Sequence, residues 1–227
     1  MRVLAFDTET TGLPTNYDAP PTDSAKWPHI IQLSFILFDT DKKEILEYFD
    51  HIIALDPTVH ITNESVAIHQ ITRERSIIDG IPICQALAEF ATCIKNADLI
   101  VGHNVIFDIR MVQAELHRNQ LPNCFVNAED NIPVPDYCTM KKNVARCQLP
   151  NPNKKYANNY KWPTLSELHQ HLFGAKPKGT HNAIADVMIC LRCYVFIMHE
   201  YDIAYDNEVK MVFRSLYNNY CGGLPPY

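Results

Sequence analysis

Two acids near the start of the chain invite a chemical reading. A short apolar run over residues 2–6 leads into Phe6-Asp7-Thr8-Glu9-Thr10-Thr11-Gly12. In an extended chain successive side chains alternate faces, so Asp7 and Glu9 project to one side, close enough to share a cation. Two same-face acids at the end of a hydrophobic strand are costly unless something positive sits between them. Oxygen-only donors suit a hard cation such as Mg²⁺ or Mn²⁺ better than zinc. The plainer alternative is an exposed acidic strand end, with Thr and Gly serving a turn.

Two further motifs carry acids beside apolar helix faces. Gly102-His103-Asn104-Val105-Ile106-Phe107-Asp108 follows a short apolar run, and Asp108 falls in the first turns of the next helix. It is either a solvated boundary residue or a metal ligand. His181-Asn182-Ala183-Ile184-Ala185-Asp186 comes after Lys178-Gly179-Thr180, and Asp186 again abuts an apolar face. His181 precedes the helix on a glycine-containing segment, either as an imidazole with room to act or as a helix-start residue without a task.

Taken together and in this order, F-D-x-E-T-T-G, H-N-x-x-F-D and H-x-x-x-x-D resemble the signature of the DEDDh 3′→5′ exonucleases. That family includes proofreading subunits of bacterial DNA polymerases and ribonuclease T. The resemblance runs from about residue 2 to residue 199. Position 182 is Asn rather than Tyr, which marks the histidine branch of the family. The resemblance implies an α/β fold of ribonuclease H-like type, a mixed five-stranded sheet flanked by helices. It implies that Asp7, Glu9, Asp108 and Asp186 hold two Mg²⁺ or Mn²⁺ ions, with Asp7 bridging both. Glu9 and Asp186 would serve the ion nearer the attacking water, and Asp108 the other. His181 would take the water's proton, a role that an ordinary imidazole pKa of about 6.5 suits. Two divalent ions would also bring the net charge of −6 to −2.

The resemblance extends to the nucleotide end. Thr10 and Leu13 would contact the terminal nucleotide, Leu13 wedging against its base, with Asn104 and Phe107 flanking it. Ala67-Ile68-His69-Gln70-Ile71-Thr72 is similar to the family's His-Gly-Ile-Thr segment, with Gln70 in place of Gly, which leaves the part played by His69 open. Plain core packing is the competing reading for Leu13, Phe107 and Ile71. Stacking on apolar side chains tolerates any base, so little sequence preference is expected. Lys161-Trp162-Pro163-Thr164-Leu165, with Tyr156, Tyr160, Lys154 and Lys155 before it, interleaves rings and cations. Such a segment can neutralise phosphates and stack on bases, or it can be an extended surface insertion.

These side chains need elements to hold them. Residues 30–38 (IIQLSFILF) read as a buried strand, residues 45–55 as its partner, and 39–43 as the turn between them. Four prolines within 14–28 mark a long loop. Ile83, Leu87, Phe90 and Ile94 recur at helical spacing, as do Val105, Ile109, Val112 and Leu116, with a short strand over 98–101 between them. Thr164 and Glu167 form a capping box, and Gly174 stops that helix. A last long helix is expected over 183–198. Residues 148–163 hold three prolines and four asparagines and predict a mobile loop, and residues 218–227 a loose tail. The domain division expected is 1–205 for the exonuclease unit and 206–227 for a C-terminal helix and tail.

At 227 residues, 47% hydrophobic and 20% charged, the chain can bury roughly 70–75% of its unfolded surface in one core and is not globally disordered. No run of about 18 apolar residues is present, so no membrane span is expected. Eight scattered cysteines and a lone Cys190-x-x-Cys193 pair suit free thiols in a reducing intracellular compartment better than disulfides or a zinc ribbon. Residues 141–178 carry eight Lys and Arg against one acid, a net +7 that leaves −13 elsewhere. A basic segment on an acidic body fits a nucleic-acid track beside a carboxylate-lined site, or simply a solvated lysine-rich face. The expected function is a metal-dependent 3′→5′ exonuclease that releases nucleoside 5′-monophosphates from DNA. The alternatives are an RNA-trimming exoribonuclease and a catalytically silent domain that binds nucleic acid or a polymerase. The expected partners are a nucleic acid with a free 3′ end and a DNA polymerase.

Overall fold

Residues 30–39 are buried at every position, as a strand covered on both faces must be. In the computed structural model, which describes residues 1–127, 131–153, 159–205 and 210–221, this strand (β2, Ile30–Asp39) lies second in a five-stranded sheet. The other strands are β1 (Arg2–Thr10), β3 (Glu44–Ile52), β4 (Leu99–Gly102) and β5 (Asp136–Cys138), in the order β3-β2-β1-β4-β5. β1 pairs antiparallel with β2 and parallel with β4; β2 pairs antiparallel with β3, and β4 parallel with β5. The mixed sheet expected from the resemblance is therefore present.

Nine described helices complete the chain. They are α1 (Asn63–His69), α2 (Arg73–Asp79), α3 (Ile83–Lys95), α4 (Ile106–Arg118), α5 (Thr139–Lys142), α6 (Val144–Cys147), α7 (Leu165–Phe173), α8 (Ala183–His199) and α9 (Lys210–Cys221). Alternation along β1 sorts its side chains between two cores. Val3 and Ala5, with Ile36, Phe38 and Val101, pack under α8, where nearly every residue from Ala183 to Val195 is buried. Leu4 and Phe6, with Leu33, Phe35 and Ile100, pack under Leu87, Phe90, Met111 and Val112 of α3 and α4. Rings lock this second core: the Phe6 and Phe90 centroids lie 5.0 Å apart, and Phe35 stacks on Phe49 at 4.6 Å.

Several expectations hold in detail. Thr164 and Glu167 form the full capping box, and Gly174 ends α7 in the left-handed region at φ 75°. All eight cysteines are free, six of them buried. Among the described residues no helix is long and apolar enough to cross a membrane. Other expectations change. The first strand extends past Phe6 to Thr10 because the acidic motif itself pairs with β2, Asp7 opposite Ser34 and Glu9 opposite Gln32. Asn218–Cys221 are not loose but end α9, anchored by buried Tyr217 and Cys221; residues 206–209 and 222–227 lie outside the described residues. Within the expected loop over 148–163, residues 154–158 also lie outside them. Its flanks are joined by a bridge between Pro150 and Tyr160 and by the Lys161 amide donating to the Leu149 carbonyl at 2.9 Å.

The proline-rich loop after β1 is tied down from α4. Arg118 donates to the carbonyls of Ser24 at 2.6 Å, Pro28 at 3.0 Å and Trp27. Buried Glu115 accepts from Arg118 at 2.7 Å and from the Ile30 amide at 3.1 Å. A charged pair that satisfies backbone groups in this way costs less to bury than an isolated ion.

Candidate active site

β4 stops one residue after pairing Val101 with Ala5 of β1, while β1 runs on to Thr10, and open sheets present their sites at the carboxyl ends of such parallel strands. Three acids meet there. Oxygens of Asp7, Glu9 and Asp186 all lie within 4.8 Å of one another. Asp7 and Glu9 come from the α8 face of β1, and Asp186 from the first turn of α8. Among the described residues no Lys or Arg forms an ion pair with any of the three.

Asp108 reaches the same strand end from the opposite face. It sits in the first turn of α4, 3% exposed. Its Oδ1 accepts from the Thr8 amide at 3.1 Å and the Thr8 hydroxyl at 2.7 Å. Thr8 points away from Asp7 and Glu9, so Asp108 stands outside the trio yet close enough to repel it.

Protonation reports this crowding. Burial raises Asp7 well above the carboxylate range, with further repulsion from Asp108, Asp186 and Glu9. Burial also lifts Glu9 to about 8, helped by Asp186 and Asp108. Asp108 rises to about 7 through burial, against the Thr8 hydrogen bonds that hold it down. Asp186 rises to about 6 by burial, opposed by the His181 amide. Four carboxyls that each resist ionisation, three of them converging, form a donor set that a divalent cation would relieve. The residues fit such an ion.

His181 is exposed, with a left-handed φ of 72°, and its amide donates to Asp186 Oδ2 at 3.0 Å. Gly179 shapes this approach: its φ is 75°, and a Cβ there would lie 2.0 Å from the Tyr220 carbonyl of α9. The start of α8 is held by Asn182, which accepts from the Ala185 amide at 3.4 Å, and by Gln32, which accepts from the Ala183 amide at 3.3 Å. Gln32 in turn donates to Asp50 at 2.8 Å.

The residues expected at the nucleotide end are distributed around this trio. Thr10 is buried and donates to the Gly12 carbonyl at 2.7 Å. Leu13 is 73% exposed, so core packing does not account for it. Phe107 is half-buried against the α3–α4 core, and Ile71 is fully buried, as core packing would have it. Asn104 takes a left-handed φ of 67° at the turn into α4. His69 is buried; its Nδ1 accepts from the Ile71 amide at 3.0 Å, and burial lowers its pKa against the pull of the Thr10 backbone. Gln70 ends α1 at φ 60°, a conformation that glycine adopts without cost, which explains why Gly is usual in the similar segment.

Thr8 and Gln32 hold the site together and were not anticipated. Gln32 did leave a trace, as an amide inside an otherwise apolar strand. Nothing local marked Thr8, whose partner lies 100 residues away.

The chain is 31% identical over 112 residues to the DNA polymerase III subunit epsilon of Treponema pallidum, covering 49% of this chain and 45% of that protein. It is 32% identical over 119 residues to the PolC-type DNA polymerase III of Streptococcus thermophilus, covering 52% of this chain and 7% of the relative. The chain thus spans less than half the length of these curated relatives. Among solved structures, E. coli exonuclease I in complex with a dT13 oligonucleotide superimposes with a TM-score of 0.63 at 18% identity, over 88% of this chain and 42% of that one. A 3′-exonuclease described in its recognition of a histone mRNA stem-loop gives 0.60 at 14%, over 88% and 82%. At such identities the likeness is one of fold. Residues 4–194 match the RNase_T exonuclease family, and with this fold and this acidic site the chain belongs to that family.

Proposed function

We propose that the protein is a metal-dependent 3′→5′ exonuclease that hydrolyses DNA from its 3′ end and releases nucleoside 5′-monophosphates. The observation that carries this reading is the trio of Asp7, Glu9 and Asp186, whose oxygens lie within 4.8 Å of one another without a neighbouring Lys or Arg ion pair among the described residues. Two Mg²⁺ or Mn²⁺ ions, when bound, would lower the pKa of the attacking water and offset charge on the leaving 3′-oxygen. Asp7, Glu9 and Asp186 would hold them, with Asp108, whose Oδ1 accepts from Thr8, as the fourth carboxylate. His181 takes the proton of the water that attacks phosphorus as the bond to the 3′-oxygen breaks. Its neighbourhood to Asp186 favours that carboxyl's charged form. Thr10, Leu13, His69, Asn104 and Phe107 receive the terminal nucleotide.

DNA is the substrate favoured by the polymerase III relatives, and a DNA polymerase is the partner they suggest. The free, mostly buried thiols suit a reducing intracellular compartment. The test is degradation of end-labelled strands with Mg²⁺, Mn²⁺ or EDTA. Single- and double-stranded DNA, RNA and 3′-blocked DNA are compared. Stepwise loss of mononucleotides from free DNA 3′ ends, abolished by EDTA and by the block, is expected. Equal cutting of circular DNA would refute it, and faster loss of RNA would move the assignment to an exoribonuclease.

A further inference from the structure

Trp162 is 61% exposed, although folding usually buries most of a tryptophan's surface. The segment that carries it is fixed on both sides. Before it, Tyr160 bridges to Pro150, and Lys161 both donates its amide to Leu149 and pairs with Glu167 at 2.5 Å. After it, the Pro163 carbonyl lies 3.0 Å from Nε2 of His103, and Thr164 caps α7. A carbonyl only accepts, so Nε2 carries the proton; Nδ1 lies 3.0 Å from the Thr139 hydroxyl, which also reaches the Gly102 carbonyl at 3.1 Å. Burial pushes His103 down to about 4, so this clamp is a neutral imidazole.

His103 is the residue directly after β4 and directly before Asn104. The clamp therefore ties Pro163, the neighbour of the exposed Trp162, from 60 residues away to the loop that opens into α4 and Asp108. Exposed apolar side chains sit on the segments that adjoin the acidic residues in the fold: Leu13 follows β1, Ile106 begins α4 two residues before Asp108, and Trp162 precedes the Pro163 that meets His103. Charge near the β5 edge is mostly positive, with Asp136 an exposed acid on β5 itself. Lys141 and Lys142 of α5 and Arg146 of α6 are exposed, and Glu167, the sole acid between residues 141 and 178, is occupied by Lys161. An exposed ring on an anchored stretch of backbone, with exposed cations on neighbouring helices, is a combination that binds single-stranded nucleic acid.

We propose that Trp162 is a stacking platform for a base internal to the 3′ terminus of a single strand, with Lys141, Lys142 and Arg146 neutralising its phosphates. This deepens the exonuclease reading of the carboxylate site and rests on it.

Trp27 is 3% exposed, so red-edge tryptophan emission reports on Trp162. In EDTA, dT12 should quench this emission and thymidine 5′-monophosphate should not. Trp162→Ala should weaken binding of labelled dT12 roughly 5- to 150-fold, the range of one lost base stack, and Trp162→Phe should restore most of it. With Mg²⁺, the fall of KM with strand length seen in the parent should flatten in Trp162→Ala. Unquenched emission, or the same dT12 affinity in parent and Trp162→Ala, would overturn the platform. A parent that cleaves dT12 while Trp162→Ala binds and cleaves alike loses the platform alone. A parent whose emission is quenched but which cleaves nothing loses the exonuclease reading instead.

Discussion

Asp7 pays for its position with a proton: burial and three neighbouring carboxyls hold it above the usual range. The sign of the linked stability follows. A carboxyl whose folded pKa is raised stabilises the fold below its unfolded value near 4, and that contribution is lost as pH rises through the folded value. For Asp186, Asp108 and Glu9 those folded values are about 6, 7 and 8. The metal-free protein should therefore lose stability from these groups between about pH 4 and pH 8, and a divalent cation should restore it. The gain in Tm on adding Mg²⁺ or Mn²⁺, read by thermal unfolding, is expected to be larger at pH 8 than at pH 6; an equal gain would place the ion elsewhere. Asp7→Asn should raise the metal-free Tm at pH 8, shrink the metal-dependent gain, and cut hydrolysis by more than about 10²-fold, the range for losing one main electrostatic contact to a transition state.

Elements explain why acids from opposite faces can meet. α8 covers the odd-numbered face of β1 and delivers Asp186 to Asp7 and Glu9, while α4 covers the even-numbered face and delivers Asp108 to Thr8. Only past the end of β4, where β1 has a strand on one side alone, do these groups come near one another. The register of β1 is consequently strict, because a slip of one residue would send Asp7 and Glu9 to the α4 side. The approach to α8 is equally constrained. Gly179→Ala would force a Cβ against the Tyr220 carbonyl at a left-handed φ. It should destabilise the protein by about 2 kcal/mol or more and lower kcat by displacing His181. Denaturant unfolding and turnover measured together check this; a neutral result in both would mean that α9 does not brace the histidine segment.

Across the molecule, buried charge is used to join parts distant in the chain. Arg192 of α8, 3% exposed, pairs with Asp202 at 2.7 and 2.9 Å, donates to His169 of α7 at 3.1 Å and Tyr217 of α9 at 3.4 Å, and lies 3.9 Å from the Phe173 ring centroid. His169 donates from Nδ1 to the Ala175 carbonyl and accepts at Nε2, a neutral ring that burial pushes down to about 4. This network anchors α9, whose last turn packs on Gly179. Asp202→Ala should cost about 3–5 kcal/mol, because it strands a buried guanidinium. The loss should register in chemical denaturation, and a change under 1 kcal/mol would show that the network carries little of the fold.

The amphipathic helices, the buried strand over 30–38, the capping box at Thr164 and the acidic motifs were legible along the chain, because each is a local pattern of period, cap or spacing. The short strand Asp136–Cys138 was not, since three residues are too few to show alternation. Nor were Thr8 under Asp108, Gln32 at the head of α8, Glu115 and Arg118 beneath the proline loop, or the tie between His103 and the Pro163 carbonyl. Each of these satisfies a polar group many residues away. Linear order names the residues able to do chemistry. Which carboxyls converge, and which one is held apart by a threonine, depends on which face of β1 each packing helix covers, and that is settled only when both faces of the sheet are buried.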